Sequence, residues 1–345
     1  MSSINFDFGN LNNEEIISKL HSFGIVTKEV KEKHLAHLKF VNKIVVAFKK
    51  QGLKVRIINC DQYNQKCFKG FDLIVTAGGD GTFLFGASKI KSDTPLIGLN
   101  SDPQGSEGYL CVERKMNIPP HIIIKKYIER NFEWYYRQRI TVTIKHRKFY
   151  ENEKKYENKN TVLENDETHY ALNEIFIGEI NVSKVSYFEV SFNDKKPIKQ
   201  KNSGISICTG TGSTAWHYNI NKLNKNKLEK IINVLKDMGV NFKGKNEQFI
   251  DEVCNRFNEQ LIFNPSHCEM AYTLREPIFN NTFCQIPQTG FIRKMKIISK
   301  CSNGCIVVDG NNSIPIYYGT EIVLQMFPED ALRTVFMDFD NSRYL

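Results

Sequence analysis

No uninterrupted apolar stretch in these 345 residues approaches the roughly 20 that a membrane-crossing helix needs. The run IVVAF at residues 44–48 is far too short and is flanked by lysines. A disulfide framework is also missing. The nine cysteines, at 60, 67, 111, 208, 254, 268, 284, 301 and 305, are odd in number and irregular in spacing, which argues against a secreted stapled fold and for reduced thiols. Cys301 and Cys305 bracket SNG, but no second pair completes a zinc site. There is no stripe of one charge either. The net charge is +9 with the lysines scattered, which suits anionic small molecules and leaves nucleic acid no footprint. The opening MSSINFDFGNLNNEE carries acidic groups and no arginine, so neither a signal peptide nor a mitochondrial transit peptide is legible in it. Internal repeats are absent, and no GKS or GKT marks a Walker A loop.

What is present divides the chain. Residues 12–22 and 29–50 have helical spacing, the second through Val30, Leu35, Leu38, Val41, Val45 and Phe48. GLKVRII (52–58), FDLIV (71–75) and TPLIGLN (94–100) read as strands, and FLFGASKI as a helix start, an alternation that predicts an α/β, Rossmann-like domain over 1–133. From 134 to 328 the runs RITVTIK, ALNEIFIG, SYFEVSF, SGISICTG, MKIISK and CIVVDG predict a β-rich, sandwich-like domain. Residues 329–345 are candidates to complete the first domain. Lys, Glu and Asn dominate 147–169, as in an exposed loop, and 221–262 read as two amphipathic helices inserted in the β region.

Three clusters carry candidate chemistry. AGGDGT follows the FDLIV strand, where an open α/β sheet binds ligands. Its glycines let backbone N–H groups approach a phosphate, and Asp80 could accept a hydroxyl proton or help hold a metal ion. Taken alone, Gly-Asp-Gly is equally a turn. TGTGSTAW (209–216) offers hydroxyls and free amides for a base or ribose, with Trp216 to stack on a flat ring; a polar loop with a core tryptophan reads the same way. In ALNEIFIG (171–178), Asn173 and Glu174 interrupt an apolar strand. One of them should point inward, either to satisfy backbone or to await a ligand.

Together, and in this order, GGDGT, the Asn-Glu pair and TGTGSTAW resemble the NAD kinase family, with IGLN (97–100), GYL (108–110), LREPI (274–278) and VVDG (307–310) as further matches. SDPQGSEGYL, the helical insert and LREPI are most similar to the mitochondrial branch of animal NAD kinases. The resemblance implies an NAD kinase/diacylglycerol kinase-like fold and transfer of the ATP terminal phosphoryl group to the 2′-hydroxyl of the adenosine ribose of NAD, with Mg2+ or Mn2+. It implies Asp80 as proton acceptor, Gly78, Gly79, Gly81 and Thr82 against phosphates or ribose, and Asn173 and Glu174 on the adenine and ribose of NAD. Thr211, Ser213, Thr214, Ala215, Trp216 and Asn219 would surround the nucleotide, with Trp216 where tyrosine is common, and Tyr109 would line the adenine pocket. No metal ligand is assigned to a protein side chain. The expected partners are NAD and ATP or polyphosphate, in a homodimer or larger assembly, with neither nucleic acid nor membrane. A diacylglycerol- or sphingosine-type lipid kinase and a non-catalytic NAD(P)-binding module are the alternatives.

Four departures from the family pattern stand out. The segment between Asn100 and Gly108 is longer than usual, Gly210 replaces a proline and should loosen its loop, Ser203 replaces an aspartate, and Tyr272 stands nearest to a missing histidine. Residues 1–40 offer only INFDF as an opening strand, so the chain is expected to start late, after a lost strand and leader. A mitochondrial location follows from the branch, a cytoplasmic one if the chain is complete.

Overall fold

The computed structural model describes residues 27–339, apart from 69, 92, 114–117, 146, 149–161, 164–165, 182, 241–246 and 284. The helix expected at 12–22, the INFDF segment and most of the 147–169 loop lie outside the described residues.

Helix α1 (Thr27–Lys50) buries Ile44, Ala47 and Phe48, while Val30, Leu35 and Leu38 nearer its start stay exposed. It stops in a Schellman turn. Gly52, at φ +72°, donates to Lys49 O, and Leu53 N donates to Phe48 O. The stretch GLKVRII was expected to be a strand, but it pairs with no described strand and leaves Leu53 and Ile57 exposed. Apolar pattern alone does not make a strand without a ladder partner.

Strand β1 (Ile74–Ala77) pairs in parallel with β2 (Leu96–Leu99) across helix α2 (Asp80–Lys89), the strand–helix–strand unit expected of FDLIV, FLFGASKI and TPLIGLN. Helix α3 (Pro120–Ile128) buries Ile123 and Ile124 with α1 residues and with Ile97 and Leu99 of β2. Strand β3 (Glu133–Arg137) then leads away from this lobe.

The next strands are β4 (Ile140–Lys145), the short pair β5 (Arg147–Lys148) and β6 (Val162–Leu163), β7 (Glu167–Ala171), β8 (Glu174–Glu179), β9 (Ser186–Phe192), β10 (Ile198–Asn202) and β11 (Ile205–Cys208). After the helical insert come β12 (Met270–Leu274), β13 (Thr289–Ile292), β14 (Lys294–Ser299), β15 (Gly304–Val308), β16 (Asn312–Ile316) and β17 (Glu321–Met326). Two six-stranded antiparallel sheets result, in the orders β10-β9-β14-β17-β4-β7 and β13-β12-β11-β8-β15-β16. Their facing residues form one core. Ile140, Val142 and Ile144, alternating along β4, meet Ile175, Ile177, Ile205 and Ile207 from the opposite sheet. Each fully buried isoleucine contributes about 1.5–3 kcal/mol, so this sandwich is the rigid part of the molecule. A short helix α4 (Trp216–Asn221) precedes the insert, which carries α5 (Lys225–Asp237) and α6 (Glu247–Glu259). The last two share a small core of Leu228, Ile232 and Cys254.

The chain finally returns to the first lobe. Strand β18 (Leu332–Phe336) pairs antiparallel with β3 and packs beside β2. Its Leu332 joins Phe83, Leu84, Leu96, Leu110 and Leu172 in a cluster that spans the junction of the two lobes.

Candidate active site

Asp80 opens α2 directly beyond the end of β1, with Gly79 as the N-cap. Gly78 N donates to Leu99 O at 2.9 Å and extends the β1–β2 ladder up to the loop, while Thr82 N and Phe83 N donate to Gly79 O and close the first helical turn. The helix N-terminus favours a carboxylate at this position. Both carboxylate oxygens are also held from across the loop. Leu110 N donates to Oδ1 at 2.7 Å and Tyr109 N to Oδ2 at 3.1 Å. A carboxylate accepts about four hydrogen bonds, so Asp80 is fixed in place and keeps acceptor capacity. Gly78 is buried and Gly81 exposed, and the Tyr109 ring points out, 54% exposed.

The 100–110 loop that supplies those amides is pinned from beneath. Buried Glu113 accepts from Asn100 N at 2.5 Å, and Asn100 in turn donates to Ser106 O and accepts from Asp102 N. Burial pushes the Glu113 carboxyl up to about 7. A cavity of about 280 Å3 opens beside this loop, lined by Tyr109, Leu110, Cys111, Arg137 and Thr334 among others. Arg137 reaches from it to Thr211 Oγ1 at 3.3 Å, so it touches the TGTGST loop as well. A larger cavity, about 1480 Å3, runs between α1, residues 52–60 and β1, but Asp80, Asn173 and Glu174 lie outside it.

Asn173 is outside any strand, and Glu174 is the first residue of one. β7 ends at Ala171 and β8 begins at Glu174, with a bend at Leu172 and Asn173. The alternation expected of ALNEIFIG is broken there because the backbone N–H groups of Leu172, Asn173 and Glu174 turn to one acceptor, Asp309, at 2.8, 2.8 and 3.1 Å. The side chains are left with buried, unpartnered oxygens, Oδ1 of Asn173 and Oε2 of Glu174. Buried polar atoms without partners are rare and call for a reason, and a ligand is one. Burial first, and then the charge of Asp309, push the Glu174 carboxyl up to about 7.

The TGTGST loop leans on this bend. Thr209 Oγ1 donates to Leu172 O at 2.5 Å, and Thr209 N donates to Asn173 O at 2.9 Å. Gly210 was expected to loosen the loop, yet a Cβ there would lie 2.1 Å from Asn264 O. Close packing, not mobility, explains the glycine. Ser213 is fully buried, its hydroxyl bonded to Gly210 O and Phe263 N. Thr214 is exposed, and Asn219 donates to Ala215 O. Trp216, 38% exposed, lies against Phe176 with ring centres 5.1 Å apart, and Arg275 of LREPI sits over both rings.

The two halves meet through the junction cluster. Leu172 packs with Phe83, Leu84 and Leu110, the apolar neighbours of Asp80 and of its amide donors. Asp80, the Asn173–Glu174 bend and the TGTGST loop therefore share one region. Among the described residues no three His, Cys, Asp or Glu side chains gather as a metal site. Magnesium takes one or two carboxylates plus substrate phosphates, so Asp80 fits an ion delivered with a nucleotide.

Sequence reasoning passed over Asp309, Arg139 and Glu113. Asp309 lies in the quoted VVDG, where Asp-Gly reads as a turn. Arg139 begins RITVTIK with nothing to mark it, and Glu113 sits in an irregular segment.

The sequence profile of the ATP-NAD kinase N-terminal domain matches residues 12–132. Over 96% of its length the chain is similar to the mitochondrial NAD kinase 2 of Homo sapiens, 32% identical and covering 80% of that protein. It is 33% identical to that of Xenopus tropicalis over 89% of this chain and 81% of the other. Among solved structures, an NAD kinase from Archaeoglobus fulgidus in complex with ATP shares the fold, with a TM-score of 0.54 and 20% identity over 88% of this chain and 92% of that one.

Proposed function

The chain belongs to the NAD kinase family, and from that membership we propose that it transfers the terminal phosphoryl group of ATP to the 2′-hydroxyl of the adenosine ribose of NAD, giving NADP and ADP. The observation that carries the reading is the pairing of two features in one region. A carboxylate is fixed at a helix start by two backbone amides, and beside its supporting cluster stand two buried oxygens with no protein partner.

In this reading Asn173 and Glu174 take the acceptor's adenine and ribose hydroxyls, which satisfy the unpartnered oxygens. Asp80 orients the 2′-hydroxyl. As the bond from its oxygen to phosphorus forms and the bond from phosphorus to the departing ADP oxygen breaks, the hydroxyl proton passes to Asp80. A carboxylate of ordinary basicity cannot ionise a sugar hydroxyl beforehand, so the transfer is late and the rate comes from alignment and charge neutralisation. A divalent ion, Mg2+ or Mn2+, bound with ATP supplies charge neutralisation at the phosphates. The relatives' names support a mitochondrial location, and a homodimer is the assembly we propose.

The test is NADP formation by the purified full chain from NAD and ATP, with polyphosphate as a second donor. Asp80→Asn should lower kcat at least 100-fold with the KM for NAD within about threefold. No NADP from wild type, or phosphate appearing on diacylglycerol instead, overturns the reading; an equally active D80N overturns the role of Asp80.

A further inference from the structure

We propose that Asp309 is a positioning residue for the acceptor nucleotide: its carboxylate, from the turn after β15, gathers the backbone of Leu172–Glu174 and so presents Asn173 and Glu174 to NAD. The inference rests on the kinase reading above and adds a residue that touches no substrate.

Its first support is the bend itself. Consecutive residues of a strand point their N–H groups to opposite sides, so three in a row cannot converge on one side chain unless the strand is broken. Here they do converge, Leu172 N on Oδ2 and Asn173 N and Glu174 N on Oδ1. Bonds from N–H groups to an ionised carboxylate are roughly twice as strong as neutral ones, so the break is stabilised by charge. Asp309 is locked in return. Its own N–H donates to Glu174 O at 2.9 Å, and it adopts φ +48°, a conformation aspartate tolerates better than most residues.

A second support is that the backbone at the bend is engaged. The carbonyls of Leu172 and Asn173 accept from Thr209, and the Leu172 side chain lies in the junction cluster. Backbone and flanking side chain are thus held, and buried without partners beside them are the two oxygens that the kinase reading assigns to the ligand. A site held this tightly by its supporting shell is pre-organised.

The third support is electrostatic. Asp309 lies beside Glu174 and, after burial, helps keep it protonated, and Cys208 of β11 is a further ionisable group close to Glu174. Burial pushes the Asp309 carboxyl up to about 6, while the three backbone bonds and then Arg139, just before β4, favour its ionised form. Asp309 therefore holds the backbone from which Glu174 projects and, second to burial, disfavours its ionised form.

The test uses the full chain. Asp309→Asn keeps the shape but faces one donor with another. It should raise the KM for NAD at least tenfold, leave the KM for ATP within threefold, and move the Glu174 limb of the pH profile of kcat/KM for NAD from near 7 to lower pH. Asp309→Glu keeps the charge and displaces it, so it should raise the KM for NAD without moving that limb. An unchanged KM for NAD, equal rises for NAD and ATP, or an unmoved limb in D309N overturns the proposal. Wild type that makes no NADP overturns the kinase reading instead. Should neither variant fold, hydrogen exchange on the wild-type chain decides. The amides of Leu172, Asn173 and Glu174, which donate to Asp309, should be protected at least tenfold at pH 7 and gain protection when NAD is added; unprotected amides, or amides that NAD leaves unchanged, overturn the proposal.

Discussion

Arg139→Met asks how strongly the sandwich grips the far end of the helix that begins at Asp80. The guanidinium is buried and makes two well-formed bonds, Nε to Asp330 O at 2.5 Å and Nη1 to Ile90 O at 2.7 Å, with a long third to Ala87 O at 3.5 Å. It thereby caps the C-terminal end of α2 and ties it to the segment that leads into β18. The Tyr170 ring lies 4.6 Å away. A hydrogen bond from a charged group contributes about 1.5–3 kcal/mol, so the pair contributes roughly 3–6 kcal/mol. The ring contact adds about 1–2 kcal/mol where water is excluded. Against this, methionine removes the cost of keeping a guanidinium out of water, several kcal/mol, while leaving two carbonyls without donors. The net expectation is a loss of about 3 kcal/mol. Arg139→Lys separates charge from shape, since an ammonium cannot span both carbonyls, and it should recover no more than about 1 kcal/mol. Urea unfolding followed by far-UV circular dichroism and tryptophan emission measures both variants. Activity gives a second reading. Loosening one end of α2 lets Asp80 drift at the other, and misplacement by about 1 Å costs on the order of 100-fold in rate. R139M within about 0.5 kcal/mol of wild type, or R139K equal to it, would refute the idea that Arg139 holds the lobes together.

Other outcomes follow from the same geometry. Gly210→Ala places a Cβ 2.1 Å from Asn264 O and should cost roughly 1–3 kcal/mol with a raised KM for NAD, whereas a variant as stable as wild type would show that the loop yields. Burial raises the carboxyls of Glu113 and Glu174 to about 7 and that of Asp309 to about 6, against about 4 in an unfolded chain. Between roughly pH 4 and 7 the native state therefore binds more protons than the unfolded one, so these groups lower stability as pH rises through that window and change it little above it. The urea midpoint of wild type should be higher at pH 5.5 than at pH 7.5, and Glu113→Gln should flatten part of that slope; a midpoint that climbs over this interval contradicts the assignment.

The readable parts of this molecule are those whose signal is local. FDLIV, GGDGT and FLFGASKI are neighbours in sequence and in space, so a strand, its loop and its helix can be read from one window, and β1 and α2 stand where that window puts them. The alternating runs from RITVTIK onward likewise announce an antiparallel core, because burial on one face imposes a period of two on each strand separately. Local pattern misleads where a partner decides. GLKVRII has the composition of a strand but no ladder, and ALNEIFIG has the composition of one strand but is cut in two by a carboxylate 135 residues away. Asp-Gly after a strand is satisfied by a turn, so nothing in VVDG asks for a second explanation. Arg139 is hidden in the same way, since its acceptors, Ile90 and Asp330, lie 49 and 191 residues off. The residues expected to meet substrate sit on loops with their own chemical signature, whereas those that hold the loops in place act through long-range bonds to backbone. A backbone acceptor has no residue type, so such contacts leave no trace in composition or spacing, and Asp309 and Arg139 come to light only once the chain is folded.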